Sequence, residues 1–213
     1  SGTSAGAMNA VVMADGYAAG GPEGARVALE KFWKHVSDGA LLSPLRRGPL
    51  EILTGMWTLD YSPMYLAMDL TSRVFSPYDL GAVGSVNPLR AILEENIDFA
   101  RVASAPIRLF VTATNVRTGR GRVFRNADLT PDVLLASACL PTMFKAVEID
   151  GEAYWDGGYA GNPTMSPLVR ECTSQDTILI QINPVERPGT PKTAREIHNR
   201  LNEIAFNSNL IKE

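Results

Sequence analysis

The chain has 213 residues, of which 45% are hydrophobic and 20% are charged, a balance typical of a globular domain with one substantial core. Its net charge of −3 excludes a general basic field that would attract nucleic acid, so no nucleic-acid partner is expected. The two cysteines, Cys139 and Cys172, form no CxxC pair, which excludes a disulfide framework. No uninterrupted apolar run reaches the ~18 residues that suggest a membrane span.

The N-terminal half is predicted to be helical. Residues 4–19 are rich in Ala and Met and carry apolar side chains on most faces, which favours a buried helix. The cluster Gly20-Gly21-Pro22 ends this helix, and residues 22–36 predict a second one. Residues 55–102 mix aromatic residues and Met with helix breakers, and they predict two or three short helices. One of these lies at 89–96, after an Asn-Pro start signal.

Strands alternate with helices in the C-terminal half. The dipeptide Asp150-Gly151 between two short apolar runs predicts a β-hairpin. A helix is predicted to open at Thr130 and another to cover 193–211. The predicted strands are residues 107–114, 122–124, 145–149, 152–155 and 177–183, the last of them buried. This alternation favours an α/β fold with a mostly parallel central sheet, and no linker divides residues 1–213, so a single domain is predicted.

Two stretches allow more than one interpretation. The Met-rich and aromatic residues 56–68 fit a mobile lid that faces lipid, since Met side chains adapt to irregular apolar ligands; internal packing of a cap fits them slightly better. Four arginines, Arg117, Arg120, Arg122 and Arg125, surround a Gly-rich turn. A solvated hairpin is the favoured interpretation, and a contact with a headgroup phosphate is the alternative.

The first candidate catalytic residue is Ser4, in the sequence Gly2-Thr3-Ser4-Ala5-Gly6. The spacing G-x-S-x-G is typical of a nucleophile elbow, in which a serine on a sharp strand-to-helix turn projects its hydroxyl into a pocket. The following helix would offer oriented N–H groups to a developing oxyanion. The alternative is a glycine-rich turn that contains a serine without a catalytic role.

A nucleophilic serine needs a base, and the chain has only two histidines, His35 and His198. His198 completes the order Ser4, Asp156, His198 of an α/β-hydrolase triad, but it lies well inside a predicted helix, where a solvated side chain is expected. Asp156 is the stronger candidate because it follows a strand and precedes Gly157 and Gly158, which let backbone and substrate approach its carboxylate. The two distant histidines provide no metal-ligand spacing, so no metal is expected.

Several blocks of the sequence resemble the patatin-like phospholipase family. They are Gly2-Thr3-Ser4-Ala5-Gly6-Ala7-Met8-Asn9-Ala10, Ala113-Thr114-Asn115, Ala136-Ser137-Ala138-Cys139-Leu140-Pro141 with Phe144, and Tyr154-Trp155-Asp156-Gly157-Gly158. The resemblance implies a three-layer α/β fold, Ser4 as nucleophile and Asp156 as general base of a Ser–Asp dyad. It implies the Ala5 N–H as an oxyanion donor, with Gly2, Gly6, Gly157 and Gly158 as the motif glycines, and no cofactor.

The same resemblance implies a bacterial enzyme that cleaves acyl esters of phospholipids, lysophospholipids or related lipids. We expect it to be cytoplasmic or peripheral to a membrane. The family carries a strand and a Gly-rich oxyanion loop before its serine motif. Since the chain begins at Ser1 without Met, these elements are expected upstream, and a further region is expected beyond Glu213. The alternatives to the dyad are a triad that uses His198 and a silent lipid-binding module with the same fold.

Overall fold

The computed structural model describes residues 1–40, 52–53, 55, 62–79 and 87–212. Short 3-10 turns cover Asn126–Asp128 and Gly157–Tyr159. The helices and strands are, in chain order, α1 (Ala5–Gly39), α2 (Pro63–Val74), α3 (Leu89–Asn96), α4 (Phe99–Ala103), β1 (Phe110–Asn115), β2 (Gly121–Arg125), α5 (Pro131–Ser137), β3 (Val147–Ile149), β4 (Glu152–Asp156), α6 (Ser166–Glu171) and α7 (Ala194–Lys212).

Helix α1 is two helices joined at a sharp break. Gly20 and Gly21 have non-helical backbone angles, and Gly21 has a positive φ of 63°. The indole N–H of Trp33 donates to the side chain of Asn9 at 2.7 Å, whereas a straight helix would hold two residues 24 positions apart at about 36 Å. The second half therefore folds back on the first. This confirms the predicted pair of helices and the glycine break between them.

The strands form one sheet in the order β2-β1-β4-β3, and each of its three pairings is antiparallel. The mostly parallel sheet predicted from the sequence is not what the described strands form. Short turns join β1 to β2 and β3 to β4, and strands joined by short turns pair antiparallel. The parallel pairing seen among the described residues is an isolated bridge between Gly2 and Val111. The α/β character of the fold is confirmed.

The hydrophobic core lies between this sheet and helices α1, α3, α4 and α5. All six residues of β1 are buried, so the strand that pairs with Gly2 is the centre of the structure. Fully buried side chains come from both halves of α1, from α5 and from β1, among them Val11, Phe32, Leu134 and Val111. The beginning of α1, and Ser4 before it, is thereby fixed against the sheet.

The predicted hairpin at Asp150-Gly151 is confirmed, with positive φ angles of 53° and 76° at the two turn residues. The helices predicted after Thr130, at 89–96 and over 193–211 are confirmed as α5, α3 and α7. The buried strand predicted at 177–183 is wrong. That segment is irregular, and Ile178, Ile180 and Ile182 are 89%, 88% and 84% exposed. No described strand pairs with it, so its β-branched composition alone does not produce a strand.

Candidate active site

Ser4 lies where the pairing of Gly2 with Val111 ends and α1 begins. Its backbone has φ 53° and ψ −126°, a conformation that residues with a side chain rarely adopt. Such a conformation costs about 1–3 kcal/mol and persists where the surrounding structure enforces it. The side chain is partly exposed, so a strained serine is presented at the first turn of a long helix.

Ser137, at the end of α5, enforces the conformation of Ser4. The Ser4 N–H donates to both the backbone oxygen and the hydroxyl oxygen of Ser137, each at 3.1 Å. The Ser137 hydroxyl in turn donates to the backbone oxygen of Thr112 on β1 at 2.7 Å. Ser137 therefore links the turn at Ser4 to the central strand β1. Because its side chain is fully buried, it has little freedom to move away from these partners.

Asp156, at the end of β4, is 1% exposed. Its N–H donates to the backbone oxygen of Cys139 at 2.8 Å, and its own backbone oxygen accepts from the Thr114 hydroxyl at 2.8 Å. One carboxylate oxygen, Oδ1, accepts the Gly158 N–H at 2.8 Å. The other oxygen, Oδ2, is buried and has no hydrogen-bond partner among the described residues. The carboxylate is thus held by one atom and has the other available.

Burial raises the pKa of Asp156 above the ordinary value of an aspartate. The Gly158 N–H lowers this pKa, and so, to a smaller extent, does the Ser4 hydroxyl. The hydroxyl therefore lies within reach of the carboxylate, although Oδ2 has no hydrogen bond of ordinary geometry among the described residues. The structure brings the two predicted catalytic side chains together, and among the described residues Oδ2 of the carboxylate has no other partner.

Three of the four predicted motif glycines have no room for a side chain. A Cβ on Gly2 would lie 2.5 Å from the backbone oxygen of Gly6, and a Cβ on Gly157 would overlap the backbone oxygen of Thr112. A Cβ on Gly158 would also overlap its surroundings. Gly6 differs, because nothing lies within 4 Å of the position of its Cβ. The close turn before the helix therefore requires Gly2 and not Gly6.

The histidines lie apart from this pair. The His35 ring contacts the side-chain amide of Asn96 at 3.0 Å, and His198 is exposed on α7. Neither ring is hydrogen-bonded to Ser4 or Asp156 in the part of the chain that the structure describes.

The arginines around the Gly-rich turn are largely neutralised by ion pairs. Their ion pairs are Arg117 with Glu152, Arg122 with Asp150 and Arg125 with Glu171.

The predicted lid stretch, residues 56–68, falls mostly outside the described residues, which contain its C-terminal part as the start of α2. A shallow cavity of about 370 Å³ lies between the end of α2 and Pro141. A second cavity of about 480 Å³ lies beside Cys139 and Phe144. Ser4 and Asp156 line neither cavity. The candidate site is therefore identified from the contacts of these two residues and not from the size of a cavity.

The sequence profile described as patatin-like phospholipase matches residues 1–169 of the chain. This chain belongs to the patatin-like phospholipase family. A search of curated proteins found no match. The family match covers Ser4, Ser137 and Asp156, and it ends before α7 begins.

Membership of the patatin-like phospholipase family indicates lipid acyl hydrolysis and lipid substrates. Among the described helices, none combines the length and hydrophobicity needed to cross a bilayer. The described residues also contain no cluster of three or more His, Cys, Asp or Glu side chains arranged to hold a metal ion.

Sequence reasoning missed two residues of this patatin-like site. Ser137 stands in a segment that the family resemblance identified, yet its bond to Ser4 was not predicted. Asn162 accepts the Thr3 hydroxyl at 2.8 Å, and so connects the loop after Asp156 to the residue before Ser4. The sequence offers only weak signals for these two residues: a small polar residue at the end of a buried helix, and an Asn-Pro pair shortly after Asp-Gly-Gly. Neither signal shows which residue the side chain contacts.

Proposed function

We propose that the chain hydrolyses acyl esters of lipids with Ser4 as the nucleophile and Asp156 as the general base. The observation that carries the proposal is the buried Oδ2 of Asp156, which has no hydrogen-bond partner in the part of the chain that the structure describes, and which lies beside a serine held at a positive φ. An unpaired buried carboxylate oxygen lowers stability. Such an arrangement is typical of a base that awaits a proton.

The steps use one proton acceptor throughout. Asp156 takes the Ser4 proton while the serine oxygen bonds to the ester carbonyl carbon and the carbonyl electron pair moves to oxygen. The tetrahedral intermediate collapses, the bond to the leaving alcohol breaks, and the alcohol takes the proton from Asp156. Water then gives a proton to Asp156 and attacks the acyl-serine. The fatty acid leaves, and Ser4 regains its proton.

The weakness of an aspartate as a base is the main energetic difficulty. Reference pKa values of about 3.9 for Asp and 6.5 for His correspond to roughly 3.5 kcal/mol of driving force for proton transfer. Burial raises the pKa of Asp156, which makes the carboxylate a stronger base and recovers part of this difference. Direct contact with the nucleophile and exclusion of water supply the rest.

The Ala5 N–H supports the proposed elbow and oxyanion role. Ala5 is exposed and is the first residue of α1. Its N–H has no acceptor among the described residues, whereas the N–H groups of Gly6 and Ala7 bond back to Thr3 and Ser4. A free N–H at a helix N-terminus, next to the nucleophile, is well suited to stabilise an oxyanion.

We also propose that the protein meets its substrate as a peripheral contact at a membrane surface. Leu66, Leu70 and Val74 follow one another at helical spacing along α2 and are 38%, 65% and 75% exposed. Phe75, the residue that follows the helix, is 52% exposed. An exposed apolar stripe of this kind fits contact with lipid. A cytoplasmic or membrane-peripheral location is part of this proposal.

Acyl transfer through the dyad is tested in the full-length protein with a fluorophosphonate probe and a short-chain acyl ester. Wild type is expected to label at Ser4 and to turn over the ester, and Asp156→Asn is expected to lose at least about a hundredfold in turnover. Near-normal turnover by Asp156→Asn would show that Asp156 is not the general base. His198→Ala is the matched control, and a loss as large as that of Asp156→Asn would favour a triad. A wild type that neither labels nor hydrolyses would favour a silent lipid-binding module.

A further inference from the structure

Helix α7 contacts the loop that follows Asp156, although it lies beyond the residues that the family profile matches. The Phe206 ring lies directly over Gly158, because a Cβ on Gly158 would overlap the Cε1 and Cδ1 atoms of that ring. The ring of Tyr159 packs against Phe206 with a centroid separation of 4.9 Å. An aromatic side chain from outside the family region therefore covers the loop that holds the carboxylate.

Polar contacts connect α7 to both halves of the site. The side-chain amide of Asn162 donates to the backbone oxygen of Phe206 at 3.3 Å, while its carbonyl oxygen accepts the hydroxyl of Thr3. The Asn209 amide donates to the backbone oxygen of Tyr159 at 3.3 Å. One asparagine thus joins the residue before Ser4 to the helix that covers the Asp156 loop.

The helix is itself anchored to the irregular segment before it. Asn207 is 2% exposed and donates to the backbone oxygen of Pro184 at 3.0 Å. Glu203 forms an ion pair with Arg187 at 2.7 Å, and Arg200 donates to the backbone oxygen of Val185 at 2.9 Å. These contacts hold α7 in one orientation, so the position of Phe206 is fixed with respect to the chain before it.

We propose that Phe206 is a positioning residue of the Ser4–Asp156 pair, which acts by fixing Gly158 beneath its ring. The proposal rests on the function proposed above. The Gly158 N–H is the donor that holds Oδ1 of Asp156, and Oδ2 remains available to Ser4. A displaced Gly158 would rotate the carboxylate away from the serine. Misplacement of a reacting group by about 1 Å costs on the order of a hundredfold in rate.

The contact between Gly158 and Phe206 is tested by a double-mutant cycle. Gly158→Ala places a methyl group where the ring lies, and we expect kcat to fall about a hundredfold with KM changed less than about threefold. Phe206→Ala alone should lower kcat about tenfold. In the double variant Gly158→Ala/Phe206→Ala the ring is absent, so kcat should rise above that of Gly158→Ala, towards but not beyond the value of Phe206→Ala, a recovery of at most about tenfold. The methyl group also lies 3.1 Å from Oδ1 of Asp156, so the recovery is expected to be incomplete.

The controls separate positioning from a loss of folding. Leu201→Ala, at a 59% exposed position on the same helix, should change kcat less than about twofold. Phe206→Leu keeps an apolar side chain over Gly158. It replaces Phe206→Ala in the cycle if Phe206→Ala melts below the assay temperature. Rate losses that multiply in the double variant would overturn the proposal. If Ser4→Ala leaves hydrolysis intact, the proposed function itself fails; if only the cycle shows no rescue, the role of Phe206 fails alone.

Discussion

At the scale of single residues, the candidate site contains two groups that lower the stability of the folded chain. Ser4 has a positive φ, which costs about 1–3 kcal/mol. Asp156 buries a carboxylate oxygen that has no hydrogen-bond partner among the residues described, and leaving such a group unsatisfied costs about 1–3 kcal/mol. Both costs are tolerated because Ser137 and Gly158 fix the surrounding backbone. The folded chain is thus destabilised by the same two residues that are proposed to carry out the reaction.

The carboxylate of Asp156 should make stability depend on pH. Burial raises the pKa of Asp156 in the folded state above the ordinary value of an aspartate. The folded state therefore binds the proton more tightly than the unfolded state, and stability is lost as pH rises through the folded pKa. Asp156→Asn removes this ionisation. We expect this variant to melt at a higher temperature than wild type at pH 7, with the difference shrinking towards pH 4, as measured by thermal unfolding at both values.

Ser4→Ala is the matched control, because it also removes activity but keeps the buried carboxylate. It should not raise the melting temperature at pH 7. A difference between Asp156→Asn and wild type that is the same at pH 7 and pH 4 would contradict the linkage.

At the scale of secondary-structure elements, sequence reasoning succeeded where the signal is local. The break at Gly20-Gly21 and the turn at Asp150-Gly151 depend on backbone conformations that few residues adopt, and both are confirmed. The segment 177–183 shows what local signals cannot predict. Its composition favours a strand, but a strand also requires a partner strand to pair with. Ser137 and Phe206 contact the site from distant points of the chain, and such contacts have no local signature.

The motif glycines divide into two groups with opposite expectations. Gly157→Ala would place its methyl group on the backbone oxygen of Thr112 in the central strand, where no flexible side chain can give way. We expect a loss of about 1–3 kcal/mol or more in the free energy of unfolding. Gly6→Ala adds a methyl group in open space within α1, and should raise that free energy by about 0.5–1 kcal/mol. Urea unfolding of the two variants measures both effects, and similar losses for the two would contradict the difference in packing.

At the scale of the whole molecule, Ser4 and Asp156 come from opposite ends of the region that the family profile matches. Their approach depends on how α1 packs on the rest of the fold. Asp15, in the first half of α1, is 3% exposed and pairs with Arg101 of α4 through two hydrogen bonds of 2.7 and 2.9 Å. Its carboxylate also accepts the Asp98 N–H at 3.4 Å. This pair fixes the helix that carries Ser4 to the neighbouring helix α4.

Asp15→Asn should therefore destabilise the whole molecule more than the loss of an exposed ion pair does. Removing one partner of a buried pair leaves the other charge uncompensated, at a cost of about 3–5 kcal/mol when both are buried. The Arg101 side chain is 38% exposed and can turn towards water, so we expect about 1–3 kcal/mol, measured by urea unfolding. Glu23→Gln is the control, because Glu23 pairs with Arg26 at side-chain exposures of 70% and 58%, and it should cost less than about 0.5 kcal/mol. Equal losses in the two variants would mean that the Asp15 pair does not hold α1 in place.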